Sequence, residues 1–239
     1  MRTDKVWQDP TLVNQFLTGV RGGIPFASEQ IHVALRVVEA ACSQVKRVAD
    51  LGCGDGVLTQ AILMRYPQAI VTAIDFSEPM LEQARQRLRS QSVHVEFRQA
   101  DLHDSQWCEG LEPFDAVISG YCIHHLPDTR KRQLYSEIYQ LIKPKGCFLN
   151  IEHVASSSPW VESLFNELLV DSLYQWHQDQ GKTASKVEVA ERFVYRDDKI
   201  ANILAPVEVQ CQWLREIGFQ EVDCYFKVFE LAVFGGVRY

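Results

Sequence analysis

Arg47-Val-Ala-Asp50-Leu-Gly52-Cys-Gly54-Asp-Gly56 is a short apolar run that ends in a carboxylate and then breaks into glycine at every second position. Val48 and Leu51 read as a buried strand, the glycines as a tight turn, and Val57 to Tyr66 as the helix that follows. Glycine at 52, 54 and 56 lets the backbone turn sharply and come close to a ligand, while the start of the helix offers unpaired N–H groups to anionic or lone-pair atoms. The pattern predicts a cradle for a nucleoside-bearing cofactor.

The next apolar run, Ala69 to Asp75, also ends in an acid. It lies about 20 residues beyond the glycines, where a nucleoside-binding α/β fold places the carboxylate that holds the ribose hydroxyls. A dinucleotide fold uses G-x-G-x-x-G, whereas position 57 here is Val and the glycines run G-x-G-x-G behind an acid. Farther along, Glu78 to Leu88 reads as a helix with Pro79 in its first turn, and Val93 to Phe97 alternates as a strand. Phe114 to Ser119 reads as a buried strand, Thr129 to Ile142 as a helix on the spacing of Leu134, Ile138, Leu141 and Ile142, and Gly146 to Val154 as the next strand. Pro206 opens a helix that Gly218 closes, and Val222 to Phe226 and Phe229 to Phe234 read as two last strands. Alternating strands and helices imply a parallel sheet with helices on both faces, wound right-handed.

An acid followed by Leu-Gly-x-Gly-x-Gly resembles the first motif of the class I S-adenosylmethionine (SAM)-dependent methyltransferases. The likeness continues through Asp75, Gln99-Ala-Asp101-Leu102, Phe114 to Ile118 and Leu141 to Gly146. It implies a Rossmann-like, mostly parallel α/β sheet of seven strands in the order 3-2-1-4-5-7-6, with strand 7 antiparallel and a ligand crevice between strands 1 and 4. It also implies SAM as cofactor, with Asp50 reaching the methionine amino group and the backbone of Gly52 and Gly54 contacting the methionine moiety. Cys53 and Ser119 join them as cofactor-binding residues, Asp75 takes the ribose hydroxyls next to Phe76, and Asp101 and Leu102 take the adenine.

Tyr121-Cys-Ile-His124-His125-Leu-Pro127-Asp128 follows the fourth strand and starts at the methyl end of that crevice. Imidazole titrates near neutral pH, so His124 and His125 are candidates to take a proton from an acceptor, although such a stretch also packs the loop onto the next helix. Glu152 and His153 end the fifth strand; neighbours on a strand point to opposite faces, so at most one naturally meets the crevice, and His153 is the third catalytic candidate. The whole chain, 1–239, reads as one domain with two lid segments, 1–36 and 155–205. The second carries Trp160, Phe165, Leu169, Leu173 and Trp176 on an apolar face wider than one buried side needs, so it either packs in a homodimer or walls a substrate pocket. The C-terminal half also resembles the carboxy-SAM synthase of tRNA wobble-uridine modification, an enzyme that alters SAM itself and holds the added carboxylate with an arginine. Arg21, Arg192 and Arg196 are the cations available for that alternative.

A formal charge of -7 over 239 residues argues against a large nucleic-acid footprint, and the clusters at Arg85, Arg87, Arg89 and at Arg130 to Arg132 read as solvated helix faces. The seven cysteines show no C-x-x-C pair and no histidine at ligand spacing, so neither a disulfide framework nor a metal is expected. No apolar run is long enough to span a bilayer, and Met1 to Trp7 lacks the apolar core of a signal peptide, which gives the expectation of a cytoplasmic enzyme. The reading is methyl transfer from SAM to an oxygen, nitrogen or carbon nucleophile of a small, partly apolar molecule enclosed by the lid.

Overall fold

In the computed structural model, which describes residues 4–195 and 201–239, seven strands form one sheet. They are β1 Arg47–Leu51, β2 Ile70–Asp75, β3 Val95–Gln99, β4 Phe114–Gly120, β5 Ile142–His153, β6 Gln220–Val228 and β7 Leu231–Arg238. The order is β3-β2-β1-β4-β5-β7-β6; the first five strands pair in parallel, and β7 runs antiparallel to both β5 and β6. This is the Rossmann-like arrangement expected. The helices are α1 Pro10–Gly19, α2 Ala27–Ala41, α3 Val57–Arg65, α4 Glu78–Arg87, α5 Asp128–Leu141, α6 Pro159–Asp179, α7 Lys186–Val189 and α8 Val207–Ile217.

Successive residues of β1 and β4 enter different cores. Val48 and Ile118 pack with Ala34 and Val38 of α2 and Ile62 of α3, whereas Ala49 and Val117 pack with Leu134 and Ile138 of α5 and Leu214 of α8. A strand covered on both faces needs apolar side chains in both directions, which is why these segments read as continuous apolar runs.

Three boundaries differ from the sequence expectation. Strand β3 starts at Val95 because the chain leaving α4 continues as 3-10 turns over Arg89–His94, and pairing with β2 begins at Val71↔Val95. Ile142 belongs to β5: α5 passes into the strand without a loop, Ile142 pairs with Phe114, and the ladder resumes at Cys147↔Ala116 after a bulge. Its burial satisfies either period, so apolar spacing alone assigned it to the helix. Phe229 sits in the β6–β7 turn with φ 50°, and β7 runs on to Arg238.

A separate small core joins the residue after α1 to α6 and to the segment that follows α6. Val20 packs with Val170 and Leu173 of α6 and with Val189, Phe193 and Val194. Ser172 Oγ donates to Gly23 O at 2.8 Å, and His177 Nε2 donates to Gly19 O at 2.8 Å. Trp160, at the start of α6, is 70% exposed and takes no part in this core.

β7 lies so close to β5 that a Cβ at Gly235 would stand 1.9 Å from Phe148 O, which is backbone and cannot move aside. Gly235→Ala is therefore expected to cost about 1–3 kcal/mol, the range for overpacking a filled core. Urea denaturation checks it, with a lower midpoint at unchanged slope as the expected result.

Candidate active site

The crevice opens beyond the carboxyl ends of β1 and β4, where the strand order reverses direction. Gly52, Gly54 and Gly56 all have positive φ, at 68°, 53° and 82°. The turn they make is pinned to the end of β2. Gly52 N and Cys53 N donate to Ile74 O at 2.8 and 3.0 Å, and Gly54 N donates to Asp75 Oδ2 at 2.9 Å. Asp75 Oδ1 accepts from Ser77 N at 2.8 Å. Burial pushes the Asp75 carboxyl up to about 6, against the pull of the Ser77 and Gly54 N–H groups. Ser77 caps α4 through Met80 N and also donates to Trp7 O at 2.5 Å, which draws the N-terminal segment over the crevice.

Gly52, Gly54, Asp75, Phe76, Asp101 and Leu102 all stand on the crevice wall. Asp50, Cys53 and Ser119 lie behind it. The Cys53 side chain packs with Ala73 and Leu81, and Ser119 Oγ donates to Leu51 O at 2.9 Å. Asp50 is fully buried: Oδ2 accepts from Thr59 Oγ1 at 2.6 Å, while Oδ1 has no hydrogen-bond partner among the described residues. Burial pushes its carboxyl up to about 7; the Thr59 hydrogen bond opposes this, and the charge of Asp75 adds to it.

At the other end of the crevice the three candidate histidines come together. The rings of His124 and His125 are 4.0 Å apart, and those of His124 and His153 are 5.8 Å apart. His124 Nδ1 lies 2.5 Å from Glu152 Oε1, and the same carboxylate accepts from the backbone N of His124 and of His153. Thus Glu152 holds His124 from behind while His153 reaches the wall. His125 Nδ1 lies 3.1 Å from Ala201 O; a carbonyl only accepts, so Nδ1 carries the hydrogen. His153 Nε2 lies 2.5 Å from Glu230 Oε2 in the β6–β7 turn. Burial holds His124 well below the usual imidazole range and takes His125 down to about 3, while it pushes Glu152 up to about 7.

Several positions in and around the crevice escaped the sequence reading. Asp55, inside the glycine turn, stands on the wall and takes Arg21 at 3.4 Å and Arg87 at 2.6 Å. Glu230 had no local signal, because its histidine partner lies on a distant strand. The Arg130 to Arg132 cluster is not a solvated face: Arg130 and Lys131 are buried. Arg130 Nε donates to Leu102 O at 2.7 Å and its guanidinium pairs with Glu137, while Lys131 bonds Asp128 and Ile203 O. Loops against α5 leave carbonyls that need donors, and these two side chains supply them. Arg21 is on the wall; Arg192 lies over the Phe193 ring and off the wall; Arg196 falls outside the described residues. Among the described residues, no group of three or more His, Cys, Asp or Glu side chains is arranged to hold a metal, and no helix is long and apolar enough to cross a membrane.

Residues 48–146 match a family model described as a methyltransferase domain. A carboxy-S-adenosyl-L-methionine synthase of Nautilia profundicola is 22% identical over 228 residues, a match that covers 95% of this chain and 92% of the relative. Among solved structures, PigF with SAH superposes with a TM-score of 0.63 at 16% identity, over 99% of this chain and 62% of that one. The apo form of the S-adenosylmethionine-dependent methyltransferase SibL gives 0.60 at 20% identity, over 88% and 54%. The chain thus spans little more than half the length of these solved structures, and their likeness is one of fold.

Asp50 has a measurable signature. An acid whose pKa rises on folding binds its proton more tightly in the native state, so its contribution to stability is complete below its ordinary value of 3.8 and is lost as pH rises through about 7. Asp50→Asn removes that dependence. Relative to the parent, the variant should gain stability between about pH 4 and pH 7, by at most about 1.4 kcal/mol per pH unit. Denaturation series across this range check the sign; a constant difference would mean that Asp50 titrates as an exposed acid.

Proposed function

We propose that this chain, whose residues 48–146 match a methyltransferase domain, is a class I SAM-dependent methyltransferase that uses S-adenosyl-L-methionine as methyl donor and methylates an oxygen, nitrogen or carbon nucleophile of a small, partly apolar molecule. The observation that carries this reading is one crevice with two unlike ends: carboxylates and glycine backbone at one, and three histidines among Trp7, Phe165, Leu169 and Leu231 at the other.

The glycine end suits the cofactor. A Cβ at Gly54 would meet nothing within 4 Å, so the turn faces open space that a ligand can approach against bare backbone. The unpartnered Oδ1 of Asp50 is an acceptor in want of a donor, as the cofactor's ammonium is a donor. In this proposal the backbone of Gly52 and Gly54 holds the methionine part, with Asp50 beneath it. Asp75 and Phe76 hold the ribose, and Asp101 and Leu102 hold the adenine. Cys53 and Ser119 support the turn from behind. SAM supplies an electrophilic methyl on a sulfonium. The chain's own residues place the acceptor and exclude water, and His124, His125 and His153 are the groups able to receive a proton. The domain boundaries proposed are one unit, 1–239, with lid segments 1–36 and 155–205, and the place of action is the cytoplasm.

A second reading draws on the Nautilia relative, whose match runs through nearly the whole of both chains. On it, the protein would alter SAM and would need a cation to hold an added carboxylate. Arg21 is on the wall but pairs with Asp55 at 3.4 Å, which favours the first reading. Mass spectrometry of the ligand that co-purifies separates them: SAM or its demethylated product supports methyl transfer, a carboxylated SAM supports the alternative, and a nicotinamide overturns both.

Two substitutions test the cofactor end. Asp75→Ala is expected to weaken SAM binding by about 1.5–3 kcal/mol, the scale for losing a charged hydrogen-bond acceptor, as read by calorimetric titration. Gly54→Val puts a branched side chain at φ 53° and into the open face of the turn. It should abolish SAM binding with the far-UV spectrum unchanged; tight binding by this variant would reduce the turn to a structural role.

A further inference from the structure

We infer that the acceptor presents a hydroxyl on an uncharged, ring-sized apolar body, and that His153 takes its proton while Glu230 acts as the positioning residue behind it. This rests on reading the crevice as a methyl-transfer site.

The three imidazoles are not equivalent. His125 has its Nδ1–H on the carbonyl of Ala201, so that nitrogen is backed by a neutral oxygen where His153 Nε2 is backed by a carboxylate. His124 faces Glu152, but that acid already takes two backbone N–H groups, stands 3.4 Å from Asn150 Nδ2, and lies deeper in the core at 1% exposure. His153 is arranged differently. Its Nε2 lies 2.5 Å from Glu230 Oε2, the other Glu230 oxygen accepts from Ser156 Oγ, and the Glu230 carbonyl accepts from Val154 N at 2.8 Å. A carboxylate with both oxygens occupied and its turn tied to β5 cannot swing away. It fixes the ring with hydrogen on Nε2 and the lone pair on Nδ1, which has no partner among the described residues. When Nδ1 takes a proton, the buried carboxylate balances the new charge.

The walls define the body of the acceptor. The Phe165 ring centre is 5.4 Å from that of His153, and Trp7 is 6.0 Å from His125. The charged groups on the described wall are Asp4, Asp55, Asp75, Asp101 and the single cation Arg21, which Asp55 engages. An anionic acceptor would meet a surface of its own sign. A neutral amine attacks without first losing a proton, whereas a hydroxyl is a weak nucleophile until its proton is taken, so a carboxylate-backed imidazole matters most for the hydroxyl. In the step, the acceptor's O–H bond breaks, its proton passes to His153 Nδ1, and an O–CH3 bond forms as the S–CH3 bond breaks with its electron pair kept on sulfur.

The test uses the full chain with SAM and two phenols, 4-methylphenol and the more acidic 4-cyanophenol, with aniline and benzoate as controls. Glu230→Gln should lower kcat about tenfold or more for 4-methylphenol and distinctly less for 4-cyanophenol, because a base matters less as the hydroxyl grows more acidic. SAM affinity and the melting temperature should hold. Independently of turnover, 15N NMR of histidine-labelled protein, with His153 assigned by its loss in His153→Gln, should show the Nε2–H tautomer in the parent and a mixture in Glu230→Gln. Equal losses for both phenols, an Nδ1–H tautomer in the parent, or turnover of aniline or benzoate but of neither phenol would overturn the inference. Bound SAM with no phenol turnover sinks this inference alone; failure to bind SAM sinks the methyl-transfer reading beneath it.

Discussion

The active crevice depends on one carboxylate meeting one backbone amide: Gly54 N donates to Asp75 Oδ2 at 2.9 Å. Adjacent strands bring β1 and β2 side by side, but their carboxyl ends lead into separate loops, and this bond together with the two N–H groups on Ile74 O makes the loops one surface. Asp75 then spends its other oxygen on Ser77 N, and Ser77 reaches both the first turn of α4 and the carbonyl of Trp7. A glycine turn, a helix start and the N-terminal cover thus share a single buried anchor. Charge-assisted bonds of this kind contribute about 1.5–3 kcal/mol each, enough to hold a strained turn in place.

That anchor sits in a costly environment. Asp50, Asp75 and Glu152 are all buried, and burial pushes each carboxyl upward. Desolvated acids oppose folding at neutral pH unless something positive or well supplied with donors faces them. For Glu152 the protein provides donors in the backbone of His124 and His153; for Oδ1 of Asp50 the described residues provide none. On the proposed function, this unmatched oxygen would meet a ligand carrying donors and positive charge, and sites of this sort are where local consistency gives way to function.

Much of this was legible in the chain. The glycine turn and the acid of β2 follow from short apolar runs and their punctuation, because a strand buried on both faces is mostly apolar along its length, whereas the order of the seven strands comes from the resemblance to the methyltransferases. Boundaries were less legible where two elements share a residue that both would bury, as at Ile142 between α5 and β5. The solvated-face reading of Arg130 and Lys131 failed for a different reason. Basic side chains on a helix look alike in sequence whether they face water or unpaired carbonyls, and here the carbonyls of Leu102 and Ile203 decide it. Glu230 was invisible because a hairpin turn near the C-terminus carries no mark of the strand end it will meet.

The two ends of the crevice are therefore built by different means. The glycine end comes from consecutive segments of the parallel sheet, Gly52 to Gly54, Asp75 to Ser77 and Asp101 to Leu102, each fixed by the strand before it. The histidine end is assembled from remote pieces. The β6–β7 turn orients His153, and Ala201 O orients His125; Ile203 N donates to His124 O at 2.7 Å while buried Lys131 holds the Ile203 carbonyl. A histidine's tautomer is set by whatever hydrogen-bonds its far nitrogen, so the tautomers at the rim are set by the β6–β7 turn and by residues 201–203. On the proposed function, changes there would alter which imidazole receives a proton and leave the anchor of Asp75 as it is, separating the means of holding the methyl donor from the means of activating the acceptor.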